Sequence, residues 1–102
     1  MIHVIAKVET VAGQRAKFLE EFHKLVPQVL AEDGCVEYGP TIDAETEIPA
    51  QLKAGDNTAV IIERWETLDA LKAHLVADHM TAYRERVKDL VQKTVLEVYE
   101  TA

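Results

Sequence analysis

Between Ile2 and Glu9 the even positions Ile2, Val4, Ala6 and Val8 are apolar while His3, Lys7 and Glu9 fall between them, a period of two that predicts a first β-strand. The period then changes. After the Ala12-Gly13 turn, Phe18, Leu19, Phe22, Leu25, Val26, Val29 and Leu30 recur at helical spacing with charged residues between them, predicting one long helix that ends near Asp33-Gly34. Pro27 lies inside that stripe, where it removes one helical hydrogen bond and predicts a kink.

Cys35 to Asp43 reads as a second strand, irregular around Gly39-Pro40 because a proline cannot donate to a central ladder. Ala44 to Asn57 is polar and closes on a Gly-Asp-Asn turn, a length at which loops often serve as lids or binding segments. Thr58 to Trp65 is a third strand. Thr67 suits the N-cap of a helix carrying Leu68, Leu71 and Leu75, and Asp78 suits a second N-cap before Met80, Tyr83, Val87 and Leu90. Thr94 to Glu100 forms the last strand. The order is an α+β, ferredoxin-like β-α-β-β-α-β arrangement with a four-stranded antiparallel sheet and a broken second helix, in a single domain spanning 1–102.

Strand parity predicts what each face of the sheet meets. Ile2, Val4, Ala6 and Val8, with Val60, Ile62, Leu96 and Val98, are assigned to the face beneath the helices. The opposite parity carries Ile5, Ala59, Ile61, Trp65, Val95 and Tyr99 among His3, Lys7, Glu63 and Glu97, an apolar patch that predicts a homodimer interface.

Composition narrows the function classes. A formal charge of −7 with scattered Lys and Arg argues against nucleic acid and anionic membrane partners. The single Cys35 excludes an intrachain disulfide, no apolar run is long enough to span a bilayer, and the N-terminus lacks signal-peptide character, so a cytoplasmic location is expected. The four glycines form neither a GxGxxG nor a GxxxxGK pattern, which leaves no evident seat for a dinucleotide or ATP. No Cys pair or HExxH is present, so no metal and no cofactor is expected.

The remaining chemistry concentrates at the break in the second helix. His74 sits at the margin of the apolar stripe and His79 opens the last helix, where the positive helix end favours a neutral imidazole suited to general-base work. Both are candidate catalytic residues. Tyr38, Trp65 and Tyr83 offer ring faces and hydrogen-bonding edges for a flat aromatic substrate, although such residues in a small domain are more often packing. Arg64 and Arg84 neighbour acids and read as surface charges, and His3 and His23 read as surface residues.

The segments MIHVIAKVE, GCVEY and ERWETLDALKAHLVADHMTAYRERV resemble the antibiotic biosynthesis monooxygenase family of dimeric α+β barrel proteins, over nearly the whole chain. The combination of GCVEY, the strand-ending W-E-T and the H-x4-H-M segment is similar to the subgroup of quinol monooxygenases. The resemblance implies a homodimer that oxidises a quinol or polycyclic phenol with molecular oxygen and neither metal nor flavin. Haem-degrading relatives of the superfamily resemble the fold but use an asparagine, a tryptophan and a histidine where this chain has Ala6, His74 and Tyr83, which argues against that activity. An autoinducer-degrading branch also resembles it in carrying two histidines at the His74 and His79 positions. Isomerisation of a small hydroxy-ketone is therefore the alternative, with a non-catalytic dimeric ligand-binding module as a third reading.

Overall fold

The computed structural model describes residues 1–102. β1 (Ile2–Thr10) leads to α1 (Arg15–Leu30), then β2 (Cys35–Thr41), β3 (Thr58–Trp65), α2 (Leu68–Leu75), α3 (Asp78–Val87) and β4 (Val91–Glu100). All strand pairs are antiparallel, in the spatial order β2-β3-β1-β4. This is the ferredoxin-like order with its second helix divided at Val76 and Ala77. No helix is long and apolar enough to cross a membrane.

α1 runs unbroken through Pro27, and its stripe of Phe18, Phe22, Leu25 and Val29 is buried against the sheet. Thr67 caps α2, its hydroxyl accepting from the Ala70 backbone N–H at 3.1 Å. Asp78 is not a cap: Ala77 holds the N-cap position in extended conformation, and Asp78 occupies the first turn, where its charge faces the positive end of the α3 dipole. β4 begins at Val91, three residues earlier than the alternation predicts, because pairing with β1 continues past a register shift at Glu9/Thr10.

Register corrects the predicted faces. Val4 pairs with Glu63 and Ala6 with Ile61, and cross-strand partners share a face, so the helices cover Ala59, Ile61, Glu63 and Trp65 rather than Val60 and Ile62. Those four are the buried positions of β3. β3 is apolar on both parities, and only its pairing fixes which parity turns inward. The opposite face therefore carries Ile5, Val60, Ile62, Val95 and Tyr99, without Ala59, Ile61 or Trp65. Leu96 and Val98 do lie on the helix side, but the helices do not reach the β4 edge and both stay exposed.

Candidate functional site

Because β4 extends beyond the helices, a cleft opens between it and α3. The cleft is a cavity of about 390 Å³, within the range of small-molecule sites. Ala6, Val8 and Leu96 contribute its floor, Met80, Tyr83 and Val87 the α3 wall, and Phe22, Tyr38 and Ile61 its inner side. Its polar lining includes Glu63 and His74, with Arg84 and Lys88 also on the wall.

The aromatic inner wall is interlocked. Phe22 stacks on Tyr38 at 5.4 Å between centroids and meets Tyr83 edge-on at 5.8 Å. Tyr38 in turn meets His74 edge-on at 5.4 Å, and the Trp65 ring tilts against His74 at 4.7 Å. Such contacts fix the imidazole plane while leaving its edges to hydrogen bonding.

His74 is 2 % exposed, yet one of its nitrogens has no protein hydrogen-bond partner. Nδ1 lies 2.8 Å from Glu32 Oε2, so the carboxylate selects the tautomer with its N–H there. Nε2 has no partner in the protein, and no fully enclosed polar side-chain atom lacks one, so Nε2 opens to the cleft that His74 lines. Burial pushes the His74 pKa down, opposed by the hydrogen bond and charge of Glu32, which leaves a neutral imidazole with a free lone pair at neutral pH.

The structure brings His74 and His79 together through Glu32, a residue the sequence reading missed. His79 Nε2 lies 2.7 Å from the same Oε2 atom. Glu32 stands in the turn after α1, beyond the predicted candidate segment, and is only partly exposed. His79 itself does not line the cleft; it is tied to His74 through the shared Glu32 oxygen. The three ligand atoms lie within 4.8 Å of one another, but two short hydrogen bonds converge on one oxygen. The two bonds hold both imidazoles on a single carboxylate oxygen and so couple the two histidines through Glu32.

Tyr38 and Tyr83 line the cleft, and burial raises both phenols well above their ordinary pKa, keeping them protonated donors. Trp65 does not line it. It is fully buried behind His74, its Nε1–H donating to Glu63 Oε1 at 2.9 Å. Glu63, 4 % exposed, is the second residue that the sequence reading missed, having been assigned to the opposite face. Burial pushes its carboxyl up to about 7. The missed signal was a charged residue at the same parity as Ala59, Ile61 and Trp65.

The other charged candidates fall elsewhere. Arg64 pairs with Glu37 at 3.1 Å on the opposite sheet face, and Arg84 donates to the Leu75 carbonyl at 2.7 Å from the cleft rim. His23 is exposed and His3 is half-buried on the opposite face.

Residues 1–86 match the family model described as antibiotic biosynthesis monooxygenase. The chain is 44% identical over 90 residues to "Probable quinol monooxygenase YgiN" of Escherichia coli strain K12, covering 86% of each chain. Among solved structures, a Deinococcus radiodurans protein assigned to antibiotic biosynthesis monooxygenases superposes with a TM-score of 0.81 at 21% identity, over 100% of this chain and 93% of that one. A Pseudomonas aeruginosa protein gives a TM-score of 0.78 at 22% identity, over 99% and 94%. At these identities the solved structures establish the fold.

Proposed function

The chain belongs to the antibiotic biosynthesis monooxygenase family, and from that premise we propose that its cleft oxidises a quinol or polycyclic phenol with molecular oxygen, using neither metal nor flavin. For a 1,4-dihydroxyarene the change balances as one O2 consumed, one ring C–H converted to C–OH, the two phenolic C–OH groups converted to carbonyls and one water released. The substrate supplies the electrons. The protein's task is to make the electron-rich anion and to hold it away from bulk water.

The observation that carries this reading is the open Nε2 of His74 at the wall of an aromatic cleft, with Nδ1 anchored on Glu32. His74 removes the phenolic proton as general base, Glu32 steadies the imidazolium that forms, and His79 holds the same Glu32 oxygen. A phenol near pKa 10 facing a histidine near 6.5 opposes transfer by about 5 kcal/mol, and burial of His74 widens the gap. Donors to the phenolate offset this cost, and Tyr38 and Tyr83 stand protonated in the same wall.

The active species in this reading is a homodimer. The opposite sheet face presents Ile5, Val60, Ile62 and Val95 around the Lys7–Glu97 ion pair. Over one end of that face the 42–57 segment brings Leu52, Lys53 and Ala54 against a second cavity, while Ile48 and Leu52 stay largely exposed. A partner's sheet stacked here would bury both features.

Oxygen uptake by dialysed, chelator-treated protein with a panel of quinols and anthrones tests the proposal. His74→Ala is expected to lose about 10²–10⁴-fold in rate, the usual worth of a general base, and His79→Ala a smaller amount. Absence of uptake on every substrate overturns it, and turnover that persists without oxygen points instead to the hydroxy-ketone isomerase.

A further inference from the structure

Deprotonating a phenol inside an apolar cleft leaves an oxyanion that needs a donor, and the buried polar group that shares the wall with His74 is one that ordinarily carries a negative charge. Glu63 sits on β3 among Ala59, Ile61 and Trp65, on the face the helices cover. Its Oε1 accepts from Trp65 Nε1–H at 2.9 Å. Oε2 has no protein partner, and since no fully enclosed polar side-chain atom lacks one, Oε2 opens to the cleft that Glu63 lines.

We propose that Glu63 works as a neutral carboxylic acid whose Oε2–H donates a hydrogen bond to the oxyanion created when His74 takes the substrate's proton. Trp65 fixes which oxygen is the carbonyl and which carries the hydrogen. The site is thereby matched to phenols and enols that bind as anions, because an ionised Glu63 would repel them. The inference deepens the oxidation reading and rests on it for the identity of the substrate, but not for the chemistry of Glu63.

No cation is positioned to hold Glu63 ionised. Arg84 donates to the Leu75 carbonyl, and Lys88, at the end of α3, pairs with Glu85 at 2.7 Å. Tyr83 on α3 and Tyr38 across the β2 ladder are protonated phenols. Cys35 on β2 keeps its thiol, pushed up to about 11 chiefly by burial and then by the charge of Glu32. His74 on α2 is neutral, and the charge of Glu32, across from β3 in the turn after α1, adds to burial in favouring the uncharged carboxyl. The Glu32 charge and burial therefore push Glu63 the same way, and only the Trp65 hydrogen bond opposes them.

Two measurements test the assignment with Glu63→Gln, an isostere that keeps the acceptor for Trp65 and replaces O–H by N–H. The first is binding of 2-hydroxy-1,4-naphthoquinone, an enol that stays ionised across the range tested, followed by quenching of the single tryptophan. In the wild type, affinity is expected to fall about tenfold per pH unit above the Glu63 midpoint near 7, whereas in Glu63→Gln it stays flat there. The second is difference infrared spectroscopy of the wild type, in which a protonated-carboxyl stretch, absent from Glu63→Gln, disappears over the same interval. In the oxygen-uptake assay, Glu63→Gln is expected to lose the alkaline limb of the pH–rate profile and about tenfold in rate, and Glu63→Leu about 10²–10³-fold. An alkaline loss of affinity that persists in Glu63→Gln, no binding of the naphthoquinone, or no titrating carboxyl band would overturn the role. Binding and infrared results as expected without oxygen uptake would instead remove the oxidation reading and leave Glu63 as an anion-binding acid.

Discussion

His74 Nδ1 and Glu32 Oε2 meet at 2.8 Å across 42 residues of sequence, tying the turn after α1 to the last turn of α2. The contact sets both the tautomer and the basicity of the imidazole. Glu32 raises the His74 pKa against burial, so Glu32→Gln should lower it further. The acid limb of the kcat/KM profile is then expected to move to lower pH, while the plateau falls by about 10–100-fold because a weaker, less well oriented base remains. NMR titration of the His74 ring checks the shift independently of turnover. An acid limb that moves to higher pH would falsify the role given to Glu32.

Glu63 gives stability a pH dependence of opposite sign to that of an ordinary paired carboxylate. Its folded-state pKa is raised from 4.5 to about 7. At low pH it is neutral in both states, and between the two pKa values only the unfolded chain ionises. Stability is therefore lost as pH rises through that window, reaching about 3 kcal/mol once the folded carboxyl also ionises. Glu63→Gln should raise the urea midpoint at about pH 8 and change it little at about pH 4. Equal effects at both pH values would show that the folded carboxyl titrates normally.

The element order, the capped start of α2 and the break before α3 were legible because each depends on neighbours within a turn or two: the Phe18–Phe22–Leu25–Val29 spacing, the Thr67 hydroxyl, the apolar restart at Met80. The burial of Glu63 was not. In TAVIIERW both parities hold aliphatic residues, so the inward face is decided by pairing with Val4 and Ala6, more than fifty positions earlier. Glu32 was hidden differently, in an acidic helix-end run that reads as solvated. The one hint is that an acid near a helix C-terminus opposes the dipole and so calls for a compensating partner. The histidines were legible as a pair, but that one lines the cleft and the other does not depends on three elements meeting.

Gly34 couples the same turn to α2 sterically. Its φ of +81° favours glycine, and a Cβ there would approach the Ala70 Cβ to 2.7 Å. Its carbonyl also accepts from the Glu66 N–H at 2.8 Å, which holds the entry to α2. Gly34→Ala is expected to cost about 2–4 kcal/mol from left-handed strain plus overpacking. Because α2 must move to relieve the clash, the His74–Glu32 bond should weaken as well. Chemical denaturation measures the first effect and the His74 titration the second; a loss under about 0.5 kcal/mol would mean that the turn relaxes without disturbing α2.

Ile62 provides a direct test of the proposed pairing of two copies. It lies on the sheet face turned away from the helices, opposite Ile5 on β1 and Gly39 on β2, and is half-buried in the chain alone. A carboxylate there would be desolvated against a partner's sheet in the dimer yet partly hydrated in a monomer. Ile62→Asp should therefore act mainly on association. The wild type is expected to sediment at about twice the 11.4 kDa chain mass at micromolar concentration, and the variant at the chain mass with an unchanged far-ultraviolet circular dichroism spectrum. Dimer formation by the variant at wild-type affinity would place the interface on another surface. A wild type that sediments only as an 11.4 kDa species would remove the dimer itself, leaving Ile5, Val60 and Val95 as scattered surface residues of a kind common on soluble domains.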